Sequence, residues 1–182
     1  MQMDSSSDRV TLFAGFVSDL LSSYVGNPYA KGLRQIAERV ELSNPTGFVA
    51  MKAYNDMCDW IVKELGPLSL RKAGEHVGRR AFDHMAERGV VSSASSPNEI
   101  MVALKTAADT MILDPKGRGW TILASEPQRV VIRRTQSFHP ILQEGLLKSI
   151  AERSNLIVYA TVRYLRSVAR GDEFDDYEVS WD

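Results

Sequence analysis

The chain has 182 residues, 44% of them hydrophobic and 25% charged, with a formal net charge of −1. This suits one domain with a packed core rather than a disordered chain, and the near-neutral balance gives no strong pull on nucleic acid or an anionic membrane. The single cysteine, Cys58, excludes an internal disulfide, and no apolar run approaches the roughly 20 residues that cross a bilayer, so a soluble cytoplasmic protein is expected.

The polar, serine-rich residues 1–8 read as a disordered lead-in, and residues 9–182 as a single domain. A first helix is predicted from Arg9 to Val25, because Leu12, Phe16, Leu20 and Tyr24 recur at helical spacing. Gly26 stops it and Pro28 opens a second helix over Tyr29–Val40. Asn44–Gly47 is a turn, and Phe48–Met51 is either a short strand or the entry to the next helix. A third helix, Ala53–Leu65, buries Tyr54, Met57, Cys58, Ile61 and Leu65. A fourth starts near Ser69 as N-cap and ends before Gly89. Gly74 and Gly78 lie on or beside its apolar face, and each costs about 1 kcal/mol against alanine. Keeping both implies that another backbone, or a ligand, comes very close there.

The serine-rich loop Val90–Ser96 leads to Ser96-Pro97-Asn98-Glu99, which combines an N-cap, a proline at the first helical position and a capping-box glutamate. A fifth helix follows to about Ile112, and Asp114–Gly117 breaks the chain. Beyond it the pattern turns to strand. Trp120–Ala124 and Arg129–Arg133 flank a hairpin-sized link, residues 138–152 form a sixth helix with an interior Gly145, Leu156–Tyr164 alternates as a long strand, and Tyr177–Trp181 closes the chain. Alternation in the last strands marks an antiparallel sheet with one buried face. The fold class is α+β: N-terminal helices packed on a C-terminal antiparallel sheet with one helix crossing it.

Candidate chemistry is sparse. His76, Arg80 and His84 share a stripe of the fourth helix, but the two histidines lie about 12 Å apart at about 1.5 Å per residue, too far for one metal ion. The stripe reads as a solvated or interface face. His139 follows Ser137 without a third partner or a nucleophile elbow, and a helix-start role suffices for it. Arg129, Arg133 and Arg134 on one strand and Arg163, Arg166 and Arg170 near another form a basic patch if those strands pair. Arg133 and Arg163 are then the candidate anion contacts, although edge charge against aggregation is the simpler account. Asp172, Glu173, Asp175 and Asp176 form an acidic turn without a calcium loop, suited to pairing with those arginines or to solvation. Trp120, Phe138, Tyr159, Tyr164 and Trp181 are core aromatics first, with a pocket lining as the alternative. No catalytic residue, metal site or cofactor emerges.

The closing segment Ala169–Trp181, with its Gly171-Asp172 turn and alternating strand, resembles the end of the haem-nitric-oxide-binding domains and of the 4-vinyl-reductase-like ligand-binding domains. Phe138–Ala151 is similar to the long helix before their last hairpin, and Leu68–Met85 to their helix with a glycine at a crossing. Over residues 48–181 the likeness is nearest to a poorly characterised domain family abundant in myxobacteria, and residues 9–46 form a helical N-terminal part. The departures are specific. The proximal histidine of a haem-binding member has no counterpart, since no histidine lies between residues 85 and 138. The propionate-gripping Tyr-x-Ser-x-Arg triplet is absent near Arg133–Ser137. The cysteines that hold zinc in the reductase-like sensors have no match, with Asp175 at the corresponding position.

The resemblance implies a non-catalytic regulatory or sensory module. It would bind a hydrophobic small molecule between helices three to five and the sheet, and signal to a protein partner or homodimer mate. The expected pocket residues are Met57, Ile61, Phe82, Met101, Ile122 and Leu142. The alternative is an assembly or scaffold module without ligand, its pocket filled by its own side chains and a large apolar patch exposed.

Overall fold

The computed structural model describes residues 6–182. The part of the expected lead-in at residues 1–5 lies outside these. Residues 6–8 are anchored: Arg118 Nη2 donates to Ser6 O at 2.8 Å, and Val10 N donates to Ser7 O at 3.1 Å.

The first element corrects the predicted helix. Thr11–Phe13 is a strand, β1, and helix α1 begins only at Ala14 and ends at Ser22. The strand forms because Thr11–Phe13 finds two antiparallel partners, Phe48–Ala50 (β2) and, far along the chain, Ile112–Leu113 (β3). Helical periodicity over Leu12 and Phe13 is thus overridden by long-range pairing. A three-stranded sheet in the order β2-β1-β3 results, which the sequence pattern did not reveal. Helix α2 is shorter than expected, Lys31–Ala37.

Helices α3 (Met51–Leu65) and α4 (Pro67–Glu87) are joined by Gly66 alone, at φ 87°. That left-handed conformation favours glycine, and Pro67 then sits at the first helical position, so α4 starts two residues before the predicted cap. Ser69 is not the cap. Its Oγ lies 2.9 Å from Tyr24 Oη instead. Helix α5 (Pro97–Met111) carries the predicted capping box in full: Ser96 Oγ accepts from Glu99 N at 3.3 Å, and Glu99 Oε2 accepts from Ser96 N at 2.8 Å.

The second sheet is four-stranded and antiparallel, from Trp120–Glu126 (β4), Arg129–Arg134 (β5), Ala160–Arg166 (β6) and Asp175–Trp181 (β7), in the order β4-β5-β7-β6. The long strand begins later than predicted. Its register ends at Ala160 opposite Trp181, the last residue of β7, so the chain before Ala160 has no strand to pair with. Leu156 and Val158, read as part of that strand, are 60% and 90% exposed. The last strand begins earlier, because Asp175 and Asp176 pair with Arg134 and Arg133 across the ladder rather than staying in the turn.

Helix α6 (Pro140–Ala151) crosses the inner face of this sheet, and α4 crosses α6 on the other side. At that crossing the glycines are forced. A Cβ on Gly74 would lie 2.2 Å from Leu142 O, on Gly78 2.5 Å from Leu146 O, and on Gly145 2.0 Å from Arg71 O. Two backbones meet where side chains would otherwise stand, and this fixes α4 against the sheet layer. The core runs without a break from α1 through α4 and α6 to the inner faces of β5 and β7. The architecture is α+β, as expected, with helices on one face of an antiparallel sheet.

Candidate ligand cavity

Between α1, α4, α5 and α6, and capped by the β4–β5 end of the sheet, lies a cavity of about 200 Å³. Its deep wall is built from buried residues of separate elements: Tyr54 on α3, Val77 and Met85 on α4, Leu104 on α5, Trp120 at the start of β4, Phe138 in the turn before α6 and Leu142 in its first turn. Phe138 packs edge-on to Tyr54, with centroids 5.3 Å apart, and to Phe16 of α1 at 6.3 Å. Pro45 and Thr46, both exposed, lie on the solvent side. A second, more polar cleft of about 510 Å³ shares Ala108, Ile112 and Gln136 with the first, and there Arg118 Nε meets Asp114 Oδ2 at 2.6 Å.

The turn that shapes the cavity hangs from one buried guanidinium. Arg134, at the end of β5, is paired with Asp175 of β7, and its Nη1 donates to the carbonyls of Gln136 and Phe138. Asp175 Oδ1 also accepts from Val168 N at 2.9 Å. His139 closes the turn as the α6 N-cap: its Nδ1 accepts from Ile141 N at 3.3 Å, the helix-start role expected of it. Burial holds its imidazole below the ordinary pKa of 6.5, consistent with a ring whose Nδ1 must stay unprotonated to accept.

On the α1 side, the stripe of α4 is an interface. Asp19 of α1 meets both Arg80 Nε and His84 Nε2 at 3.3 Å. Ser22 Oγ lies 2.7 Å from His76 Nε2 and donates to Asp19 O at 2.7 Å. The serine proton is thus already given to a carbonyl, so its oxygen accepts from the imidazole and is not activated as a nucleophile.

Two buried donors in the cavity wall find no partner among the described residues: Tyr54 Oη and Trp120 Nε1. Tyr54 is wholly buried and Trp120 is 6% exposed. Burial pushes the Tyr54 phenol well up, with the Asp19 carboxylate adding to it, so it remains a donor. Such orphaned groups are rare, because each costs about 1–3 kcal/mol when left unmet.

Of the six expected pocket residues, only Leu142 lines this cavity. Met57, Ile61 and Met101 are fully buried in the core, Phe82 lies under the Arg153 guanidinium at 5.0 Å, and Ile122 is half-buried on β4. Hydrophobic periodicity identified buried faces without saying which side chains stop short of filling the space between them. Trp120 and Phe138 carried a signal as aromatics in the strand-rich third. Tyr54 carried one as the phenol on an otherwise apolar helix face.

The basic patch that pairing of β5 with β6 would make does not form, because β7 lies between them with its own carboxylates, and the acidic residues Asp175 and Asp176 pair with the arginines instead. Arg133 grips Asp176 through two bonds of 2.8 and 2.9 Å, and Arg163 Nε meets Glu178 Oε1 at 2.7 Å, with Arg129 Nη1 on the other oxygen at 3.1 Å. Arg133 also lies over the Phe174 ring at 4.7 Å. Asp176 and Glu178 are buried beneath these arginines, so the outer face of the sheet is an ion-pair ladder.

No family model matches the chain. No curated protein matches it. The narrower likeness to a myxobacterial family therefore gains no support. Solved structures do match in fold. An H-NOX domain mutant from Shewanella oneidensis, solved in an Fe(II)CO state, superposes with TM-score 0.65 at 10% identity, covering 92% of this chain and 98% of that one. An H-NOX protein from the same organism in the Fe(II)NO state gives 0.64 at 10% identity with the same coverage. An unliganded Fe(II) H-NOX mutant from K. algicida gives 0.60 at 9% identity, covering 94% and 97%. The class defined is thus an H-NOX-like α+β fold.

That fold raises the question of haem, and the residues here do not fit one. The α5 wall presents Leu104, Ala107, Ala108 and Met111, and the only histidine of the lining is His84, whose Nε2 is held by Asp19. A cavity of about 200 Å³ also falls below the roughly 300–1,000 Å³ typical of drug-sized ligand sites, and a porphyrin is larger than most such ligands. Among the described residues no group of three or more His, Cys, Asp or Glu side chains is placed to hold a metal ion. No helix among them is long and apolar enough to cross a membrane.

Proposed function

We propose that the protein is a non-catalytic sensory module that binds a hydrophobic small molecule in the cavity between α1, α4, α5 and α6 and passes the change to a partner or dimer mate. The observation that carries this is the cavity itself: apolar walls contributed by α1, α3, α4, α5, α6 and the start of β4, floored by an aromatic cluster, with an unmet donor on each of two lining residues. A space that several helices jointly line is one whose filling alters how those helices pack, and this is how occupancy becomes a signal. The likeness in fold to H-NOX domains supports a ligand-binding module in outline. An enzyme would need polar groups converging on a reacting atom, whereas the Ser22–His76 contact is spent on a helix interface.

An assembly module is the second reading. It is favoured by Leu156, Val158 and Tyr159, which stand 60%, 90% and 53% exposed just ahead of the edge strand β6.

The two separate by experiment. Protein purified gently from its host is compared with the same protein after mild organic extraction, by hydrogen exchange and sedimentation. The sensory reading expects α1 and α5 to exchange faster after extraction, with a change in assembly state. Identical exchange and identical sedimentation would sink it and leave the assembly reading.

A further inference from the structure

We infer that this cavity takes, in place of a porphyrin, a small uncharged ring-bearing molecule with a hydrogen-bond acceptor, gripped by Tyr54 Oη and Trp120 Nε1. The inference rests on the small-molecule reading above and gives the ligand its chemistry.

Size comes first. An apolar cavity of about 150 Å³ holds benzene, and this one, at about 200 Å³, has room for one ring with a short substituent. Shape agrees, because Tyr54 and Phe16 both meet Phe138 edge-on, at 5.3 and 6.3 Å, and such a cluster offers ring faces and edges to a further ring.

The polar requirement follows from the two orphaned atoms. An indole nitrogen can only donate, and a phenol this deeply buried stays protonated and donates. Both belong to residues of the cavity lining, and neither meets a protein acceptor among the described residues. What completes the site is an acceptor oxygen or nitrogen on the occupant, as in a ketone, an ether or an alcohol.

A charged occupant is not called for. Arg88 of the lining is exposed to solvent, and the Asp19 carboxylate acts on the Tyr54 phenol. That carboxylate is already paired with Arg80 and His84, so it does not call for a cation.

The test uses two probes of like shape, acetophenone with a carbonyl and ethylbenzene without one, titrated calorimetrically into the full chain. Wild type should bind acetophenone about tenfold tighter, the worth of a hydrogen bond made to an otherwise unmet donor. Tyr54→Phe and Trp120→Phe should each reduce that preference to about threefold or less. Empty Tyr54→Phe should also melt above wild type, since it no longer buries an unmet hydroxyl. Should Tyr54→Phe fail to fold, Trp120→Phe decides alone. Equal binding of the two probes by wild type would overturn the inference while leaving a small-molecule cavity in place. Binding of neither, by folded protein, would overturn both. Displacement of acetophenone by one equivalent of haemin would overturn the inference in favour of a porphyrin.

Discussion

Gly145→Ala is expected to destabilise the protein by about 2 kcal/mol or more, and to lower the melting temperature by about 4–8 °C. The added Cβ would lie 2.0 Å from Arg71 O and 2.9 Å from Glu75 N, both backbone atoms of α4. Overpacking in a close-fitted interior costs about 1–3 kcal/mol and occasionally more. The upper end applies here, because a helix backbone cannot swing aside as a side chain can. Alanine returns about 1 kcal/mol of helix propensity, and the clash still wins. Gly119→Ala serves as the control. Its Cβ would meet only Asp109 Oδ1, at 3.6 Å, and the change should stay within about 0.5 kcal/mol. Urea unfolding of the two variants checks the pair, and a Gly145→Ala protein as stable as wild type would mean that α4 and α6 are not in backbone contact.

Asp175→Ala should cost more, about 3–5 kcal/mol, the range for breaking a buried ion pair from one side. The Arg134 side chain is 4% exposed and that of Asp175 2%, so the variant leaves a guanidinium buried without its counter-charge. The same arginine holds the carbonyls of Gln136 and Phe138, and both residues line the cavity. Loss of the pair should therefore loosen the cavity as well as the sheet. Replacing both partners with apolar residues, Arg134→Met with Asp175→Leu, should recover part of the loss, because no unpaired charge remains. A single variant that loses less than about 1 kcal/mol, beneath that range, would contradict the placement of the pair in the interior.

These two sites also show what the sequence could and could not disclose. The glycines of α4 and α6 were legible as a close approach, because a helix retains interior glycines at a cost only where something needs the space. The capping box at Ser96–Glu99 was legible because its chemistry is local. The order of the strands was not. Nothing near Arg129–Arg133 or Ala160–Arg166 announces that Asp175–Trp181 lies between them. Pairing of the arginines with Asp175 and Asp176 was legible from the acidic turn, whereas Glu178 as the shared partner of Arg129 and Arg163 was not. Strand β1 was hidden for the same reason. Its pairing with β3 joins residues about a hundred positions apart, while its local pattern suits a helix. The cavity was legible only in outline, since a void is set by the lengths and angles of several elements together. Periodicity placed Met57, Ile61 and Met101 inside, but they fill space rather than enclose it. Tyr54 and Trp120 stand out only once their hydroxyl and indole nitrogen are seen to lack partners.

The most direct measurement is native mass spectrometry of the full chain purified gently from its own host with nothing added. Our account expects a stoichiometric extra mass of a small uncharged molecule that leaves on denaturation and is retained less well by Tyr54→Phe. A mass corresponding to haem, or a bare polypeptide mass from folded protein, would contradict it.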